Sequence, residues 1–130
     1  MTDLRRGALA SALLATLIWL PPAAAGASGE ISNQQAQAQR AAGQSLVFLD
    51  VRTPEEFASG HVPGAVNIPV KQLPDRLAEL GKGDRLVVYC ERGPRARAAV
   101  DTLNHAGYTN VSHMTGDMAG WRAAGLPIEK

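Results

Sequence analysis

The chain has 130 residues, 45% of them hydrophobic, and its 13 basic and 12 acidic side chains leave a formal net charge of +1. This length favours a single domain, the balanced charge lacks the basic field of a nucleic-acid-binding protein, and the apolar content is too high for a disordered chain. The single cysteine excludes an internal disulfide, a CxxC pair and a multi-cysteine zinc site, and the three histidines lack metalloprotease spacing.

Residues 1–27 have the order of a secretory signal peptide. Two arginines precede an uncharged apolar run over residues 8–20, which Pro21 and Pro22 end short of the roughly 20 apolar residues that a membrane span needs. Small residues follow, with candidate cleavage sites after Ala25 or Ala27.

No cysteine follows either cleavage site, so a bacterial lipid anchor has no point of attachment. We therefore predict a periplasmic or secreted protein with no stable membrane anchor and a single domain over residues 28–130. The arginine pair alone leaves the export route open.

The mature part of the chain alternates between helix and strand signals. Capping boxes at residues 32–35 and 53–56 predict helices that end near Gly43 and Gly60. Apolar runs predict short strands at residues 46–51, within 61–69, at 85–89 and at 110–114. Helical spacing predicts a broken or late-starting helix within residues 70–80, a helix from about residue 95 to 107, and a short helix at 116–124.

This alternation indicates an α/β fold, with a mostly parallel central sheet and helices on both faces. The strand at residues 85–89 is apolar after its first residue, as expected for a central strand that is buried on both faces.

The candidate chemistry lies at Cys90, which directly follows this central strand and precedes a tight loop and a helix. Parallel sheets bind ligands at the carboxyl ends of their strands, and a helix N-terminus favours an anion there. Gly93 permits a loop backbone that a side chain would obstruct.

The loop around Cys90 is rich in charge. Arg92, Arg95 and Arg97 should favour the thiolate form of the cysteine, whereas Glu91 should oppose it. Such surroundings are typical of reactive cysteines rather than of inert structural ones.

Two segments resemble the signatures of the rhodanese family. Residues 50–69, DVRTPEEFASGHVPGAVNIP, are similar to its D-x-R-x-x-x-E-F-x-x-G-H-x-P-G-A-x-N-x-P pattern, and residues 90–95, CERGPR, match its C-x-x-G-x-R active-site loop. The likeness covers about residues 31–128, and with the export signal the chain resembles the small periplasmic single-domain members of the phage-shock type. The chain departs from the family at Gly116-Asp117, where many relatives carry two glycines.

The resemblance implies a rhodanese-like domain with sulfurtransferase activity. Cys90 would take a sulfane sulfur from thiosulfate or a similar donor, carry it as a persulfide, and pass it to cyanide or a thiol. The implied partners are therefore a small-molecule sulfur donor and acceptor, with no nucleic acid, and no metal or organic cofactor is needed. Arg95 is the expected ligand of the donor oxygens, and the other expected substrate-binding residues are Glu91, Arg92, Gly93 and Pro94.

The resemblance assigns a structural role to the signature residues Asp50, Arg52, His61 and Gly64. We expect Arg52 to pair with Glu56, and His61 to hydrogen-bond the backbone of its turn. His105 and His113 are expected at the surface or at a helix end. The sequence does not place Asp117.

Two alternatives to a sulfurtransferase stay open. One is a rhodanese-like binding or regulatory module without turnover. The other is a phosphatase or arsenate reductase on the same architecture. The related phosphatases have a sequence pattern with arginine six positions after the cysteine, and this chain has Ala96 at that position. The sequence also shows no obvious acid beside the loop for a leaving alkoxide.

Overall fold

The structure, a computed structural model, describes Thr16 and residues 29–130. Apart from Thr16, the expected signal peptide lies outside the described residues. Among those residues, no helix has the length and apolar character that crossing a bilayer requires.

The described chain alternates between strands and helices as the sequence predicts. The strands are β1 (Gly29–Ser32), β2 (Val47–Asp50), β3 (Val66–Asn67), β4 (Leu86–Tyr89) and β5 (Val111–Thr115). The helices are α1 (Asn33–Ala41), α2 (Pro54–Ser59), α3 (Pro94–His105) and α4 (Asp117–Ala123), with two short 3₁₀ helices at Leu73–Asp75 and Leu77–Glu79.

Both predicted capping boxes are confirmed. The Ser32 hydroxyl accepts the backbone N–H of Gln35, whose side chain accepts the N–H of Ser32. Thr53 and Glu56 make the same reciprocal pair at the start of α2, where Pro54 takes the first helical position. These caps satisfy N–H groups that a helix N-terminus otherwise leaves without partners.

The five strands form one sheet in the order β1-β5-β4-β2-β3, and every pairing between neighbours is parallel. The sequence had indicated no strand at β1, which gains its place by pairing along β5. The predicted helix within residues 70–80 is instead two 3₁₀ turns, because Pro74 removes an N–H donor and restricts the preceding residue.

The sheet is covered on both faces, and β4 is buried along its whole length. Leu49, Val88 and Leu103 belong to the core cluster on the α3 side. Phe48 and Trp121 belong to the cluster on the opposite side, where their rings meet edge to face at 6.1 Å. The fold therefore confirms an α/β domain with helices on both faces of a parallel sheet.

Candidate functional site

Cys90 lies where β4 ends, and only 1% of its surface is exposed. A three-residue loop then leads to Pro94, the first residue of α3. The backbone N–H of Gly93 donates to Cys90 Sγ over 3.0 Å. A hydrogen bond from an N–H stabilises a sulfur anion more than a neutral thiol, so the loop favours negative charge at this atom.

Gly93 is required by the loop geometry. Its φ is +123°, a conformation that L side chains rarely adopt. A Cβ at this position would lie 2.8 Å from Arg97 Nη1 and 3.4 Å from Asp117 Oδ2. The loop over the sulfur therefore requires glycine mainly for its backbone conformation.

The first turn of α4 packs against the loop that follows Cys90. The N–H of Met118 donates to the carbonyl of Cys90 over 2.9 Å, and the N–H of Ala119 donates to that of Glu91 over 3.1 Å. These are N-terminal groups of a helix that have no partner within it. They bring α4, and with it Asp117, against the candidate nucleophile.

Asp117 lies directly beside Cys90 and is 2% exposed. Its Oδ1 accepts the backbone N–H of Cys90 over 3.1 Å and lies 3.7 Å from Cys90 Sγ, within hydrogen-bonding range of a thiol. The chain thus places a buried carboxylate in contact with the candidate nucleophile.

His113 completes this arrangement from β5. Its Nε2 lies 2.9 Å from Asp117 Oδ1 and 3.1 Å from Oδ2, and the residue is 7% exposed. The expectation that His113 lies at the surface or a helix end was wrong, because β5 is an interior strand between β1 and β4 and α4 folds over its end. His105 does lie exposed near the end of α3.

Sequence reasoning did not find the Asp117–His113 pair. The available signal was the departure from glycine at position 117. Asp117 has a φ of +52°, and it is the one non-glycine residue with a positive φ in the part of the chain that the structure describes. The backbone there suits glycine, so the carboxylate is retained against a conformational cost.

Arg95 is fixed by an ion pair with Glu56. Its Nη1 and Nη2 donate to the two carboxylate oxygens over 2.6 and 3.0 Å. The hydrogen bond from Arg95 is the main reason that the pKa of Glu56 falls to about 2. The same bond is the main cause that raises the pKa of Arg95.

A surface cavity of about 370 Å³ opens beside this ion pair. Its lining includes Arg95, Thr53, Pro69, Lys71 and Gln72. Arg95 therefore faces a space that can hold a small anion, although its guanidinium already serves Glu56.

Arg52 does not pair with Glu56, as the sequence had suggested, but with Asp50. Arg52 Nη2 lies 2.7 Å from Asp50 Oδ2 and donates to the carbonyl of Gly60 over 2.8 Å. Both side chains are almost wholly buried. Burial opposes the charge of Arg52, but the hydrogen bonds and charge of Asp50 outweigh it and raise its pKa. A buried guanidinium needs this full set of acceptors, and Asp50 is the nearer carboxylate.

His61 and Gly64 lie in the turn before β3. His61 Nδ1 lies 2.8 Å from the carbonyl of Phe57, the ring stacks on Phe57 at 3.6 Å, and the His61 backbone bridges to Glu129. Gly64 has a φ of +75° and is exposed. The structure brings neither residue into contact with Cys90.

The other charged or predicted residues of the loop and of the start of α3 are more exposed than Cys90. Arg92, Pro94 and Arg97 are exposed. Glu91 accepts a hydrogen bond from Arg122 over 3.0 Å, so its charge is partly neutralised. Of the three arginines near Cys90, only Arg95 is both partly buried and held in place.

A comparison with protein families agrees with this geometry, in which a strand, a loop and a helix surround a single cysteine on a five-stranded parallel sheet. The profile of the rhodanese-like domain matches residues 32–124. The chain belongs to the rhodanese-like domain family.

This rhodanese-like domain is similar to proteins named as sulfurtransferases. It is 33% identical to a sulfurtransferase of Allochromatium vinosum over 99 residues, 76% of this chain and 92% of that protein. It is 39% identical to thiosulfate sulfurtransferase PspE of Escherichia coli over 71 residues, 53% of this chain and 68% of that protein.

The fold is also similar to that of solved structures. A rhodanese-related protein from Thermoplasma volcanium superposes with a TM-score of 0.71 at 27% identity, over 77% of this chain and 96% of that one. The rhodanese-like assignment thus agrees in sequence and in fold.

Proposed function

We propose that the protein is an exported sulfurtransferase that carries sulfur on Cys90. The Cys90 thiolate attacks the outer sulfur of thiosulfate and a new S–S bond forms. The S–S bond of the donor breaks, and its electron pair leaves with sulfite. Cyanide or a thiolate then attacks the terminal sulfur of the Cys90 persulfide, and the cysteine thiolate is released again.

The hydrogen bond from the Gly93 N–H to Cys90 Sγ carries this proposal. It shows a loop folded around the sulfur, and both the thiolate and the persulfide are anions that such a donor stabilises. The N-terminus of α3 and Arg95 supply further positive potential for the donor oxygens. The similarity to named sulfurtransferases supports the same reaction class.

The mass of the intact protein tests the proposal. Exposure to thiosulfate should add the mass of one sulfur atom to the wild type, and cyanide should remove it as thiocyanate. Cys90→Ser should gain nothing, and thermal unfolding would confirm that this variant is folded. Sulfur uptake by folded Cys90→Ser, or none by the wild type, would overturn the proposal.

Burial of Cys90 to 1% exposure is the observation that favours a binding module without turnover. In that case the wild type would keep its original mass after exposure to thiosulfate. The same experiment therefore separates the two functions.

The phosphatase alternative is tested by aryl phosphate hydrolysis. The phosphatase pattern has an arginine at the position of Ala96. Ala96 is fully buried in the core cluster on the α3 side and cannot bind phosphate oxygens. An acid does lie beside the loop, contrary to the sequence expectation, because α4 brings Asp117 there. The missing arginine at position 96 is therefore the remaining argument, and we expect no hydrolysis that depends on Cys90. Faster phosphate hydrolysis than sulfur transfer would reverse the assignment.

We also propose that residues 1–27 direct export and are removed after Ala25 or Ala27. The support is the order of basic, apolar and small residues in the sequence. N-terminal sequencing should find Gly26 or Ser28 in a periplasmic or secreted fraction. An intact Met1 on cytoplasmic protein would contradict export and leave the sulfur chemistry unaffected.

A further inference from the structure

Three buried titratable side chains lie in a row, in the order Cys90, Asp117 and His113. Cys90 Sγ is 3.7 Å from Asp117 Oδ1, and the same carboxylate lies 2.9 Å from His113 Nε2. All three residues are less than a tenth exposed. We propose that Asp117 is the base that accepts the Cys90 thiol proton, and that His113 positions this carboxylate and shares the proton. The role rests on the proposed function, since the nucleophile it serves is Cys90.

A buried thiol needs a nearby acceptor to lose its proton. At 1% exposure, Cys90 has little contact with water, and Asp117 Oδ1 is the carboxylate oxygen within reach of its sulfur. A proton that moves from Cys90 to Asp117 leaves the net charge of the three side chains unchanged, so no extra charge is created in the low-dielectric interior. The S–H bond breaks, a bond from the proton to the Asp117–His113 pair forms, and the electron pair stays on sulfur for attack on the donor.

The geometry also gives the proton a way out. His113 lines a surface cavity of about 300 Å³ together with Arg97 and Asp101. A proton that reaches the pair can therefore pass to water through the histidine.

Charged and polar groups lie around the pair on several elements. Arg97 on α3 lies near the pair over Gly93, and the Asn33 amide on α1 donates to the Asp117 carbonyl. Glu91 in the loop is turned to Arg122, and Arg95 is engaged with Glu56. On the cavity side, the exposed carboxylates of Glu30, paired with His113 across β1 and β5, and of Asp101 on α3 line the same cavity as His113.

An uncharged alkylating agent, iodoacetamide, tests the role without any sulfur donor. Asp117→Asn keeps the shape and an oxygen for the Cys90 N–H but removes the base. We expect its alkylation rate to fall at least about tenfold below the wild type at neutral pH and to converge with it well above about pH 9, where hydroxide ionises the thiol directly. A merely structural role would not produce this convergence.

His113→Gln should show a smaller loss with the same convergence, since the carboxylate remains. Asp75→Asn and His105→Gln, at exposed positions, serve as matched controls and should follow the wild type. If Asp117→Asn does not fold, Asp117→Gly offers a backbone suited to the φ of +52° and should show the same loss.

Faster or unchanged alkylation of Asp117→Asn at neutral pH would overturn the inference, because Asp117 would then act only as a charge that opposes the thiolate. That result would leave the proposed function standing. Conversely, a wild type that takes up no sulfur but shows the expected alkylation profile would refute the proposed function and still support Asp117 as the base for the Cys90 thiol.

Discussion

Arg95 and Glu56 form a two-pronged ion pair across 39 positions of the sequence, with N–O distances of 2.6 and 3.0 Å. The pair ties the first turn of α3 to the first turn of α2. It thereby fixes the far end of the loop that surrounds Cys90 and holds a guanidinium at the edge of the adjoining cavity.

Arg95→Ala should impair donor use more than Arg92→Ala. Arg95 is anchored by Glu56 and partly buried, whereas Arg92 is exposed. Loss of one charge-assisted contact predicts about a tenfold fall in kcat/KM for thiosulfate in Arg95→Ala and little change in Arg92→Ala. Equal effects of the two changes on steady-state kinetics would show that the ion pair does not contribute to donor binding.

The Glu56–Arg95 pair should also make stability depend on pH. The pKa of Glu56 is about 2 in the folded protein and therefore lies below its ordinary value, so the pair stabilises the fold above about pH 4.5 and loses this effect as the pH falls toward 2. Both side chains are about a third exposed, so solvent screening reduces the contribution to about 1 kcal/mol.

Urea unfolding at pH 7, 5 and 3 measures this dependence. Glu56→Gln should lose less stability than the wild type between pH 5 and 3, and Glu55→Gln, at the exposed neighbouring position, should keep the wild-type slope. Parallel curves for Glu56→Gln and the wild type would mean that the pair adds no net stability.

Gly93→Ala should damage both the fold and the sulfur site. Its positive φ costs about 1–3 kcal/mol for a non-glycine residue, and the new Cβ would displace the guanidinium of the exposed Arg97. Gly64→Ala is the matched control, because Gly64 also has a positive φ but has nothing within 4 Å of an added Cβ.

Denaturant unfolding and sulfur uptake followed by mass together separate strain from site damage. Both glycine variants should lose stability, but only Gly93→Ala should lose sulfur uptake beyond its effect on folding. Full uptake by folded Gly93→Ala would argue against the N–H of residue 93 as a determinant of the site.

Arg52→Ala should be among the more destabilising single changes. It leaves the buried Asp50 carboxylate and the Gly60 carbonyl without their donor, which predicts a loss of about 3–5 kcal/mol in the free energy of unfolding. Arg76→Ala removes the exposed pair with Glu79 and should change the urea midpoint little. Comparable midpoints for the two variants would show that Asp50 finds another partner.

Much of the local structure could be predicted from sequence because its causes are local. The capping boxes at Ser32 and Thr53 depend on residues three positions apart, and the strand before Cys90 is apolar because it lies at the centre of the sheet. The strand-loop-helix order around Cys90 follows from such short-range patterns.

The partners of charged side chains could not be predicted in this way. Arg52 bonds Asp50 rather than Glu56, and Glu56 instead meets Arg95. Each carboxylate is close to more than one arginine in sequence or in space. Burial decides among them, because a buried guanidinium must satisfy several donors at once.

The sequence by itself determined the α/β class, the ends of the main helices and the cysteine at the carboxyl end of a central strand. Only the tertiary structure decided that β5 lies next to β4 and that α4 docks under the loop. This arrangement brings Asp117, 27 positions away in the sequence, against Cys90 and places His113 against Asp117. The physical reason is that strand order and helix docking depend on burial summed over the whole chain, whereas a capping box or an apolar run depends on a few adjacent residues.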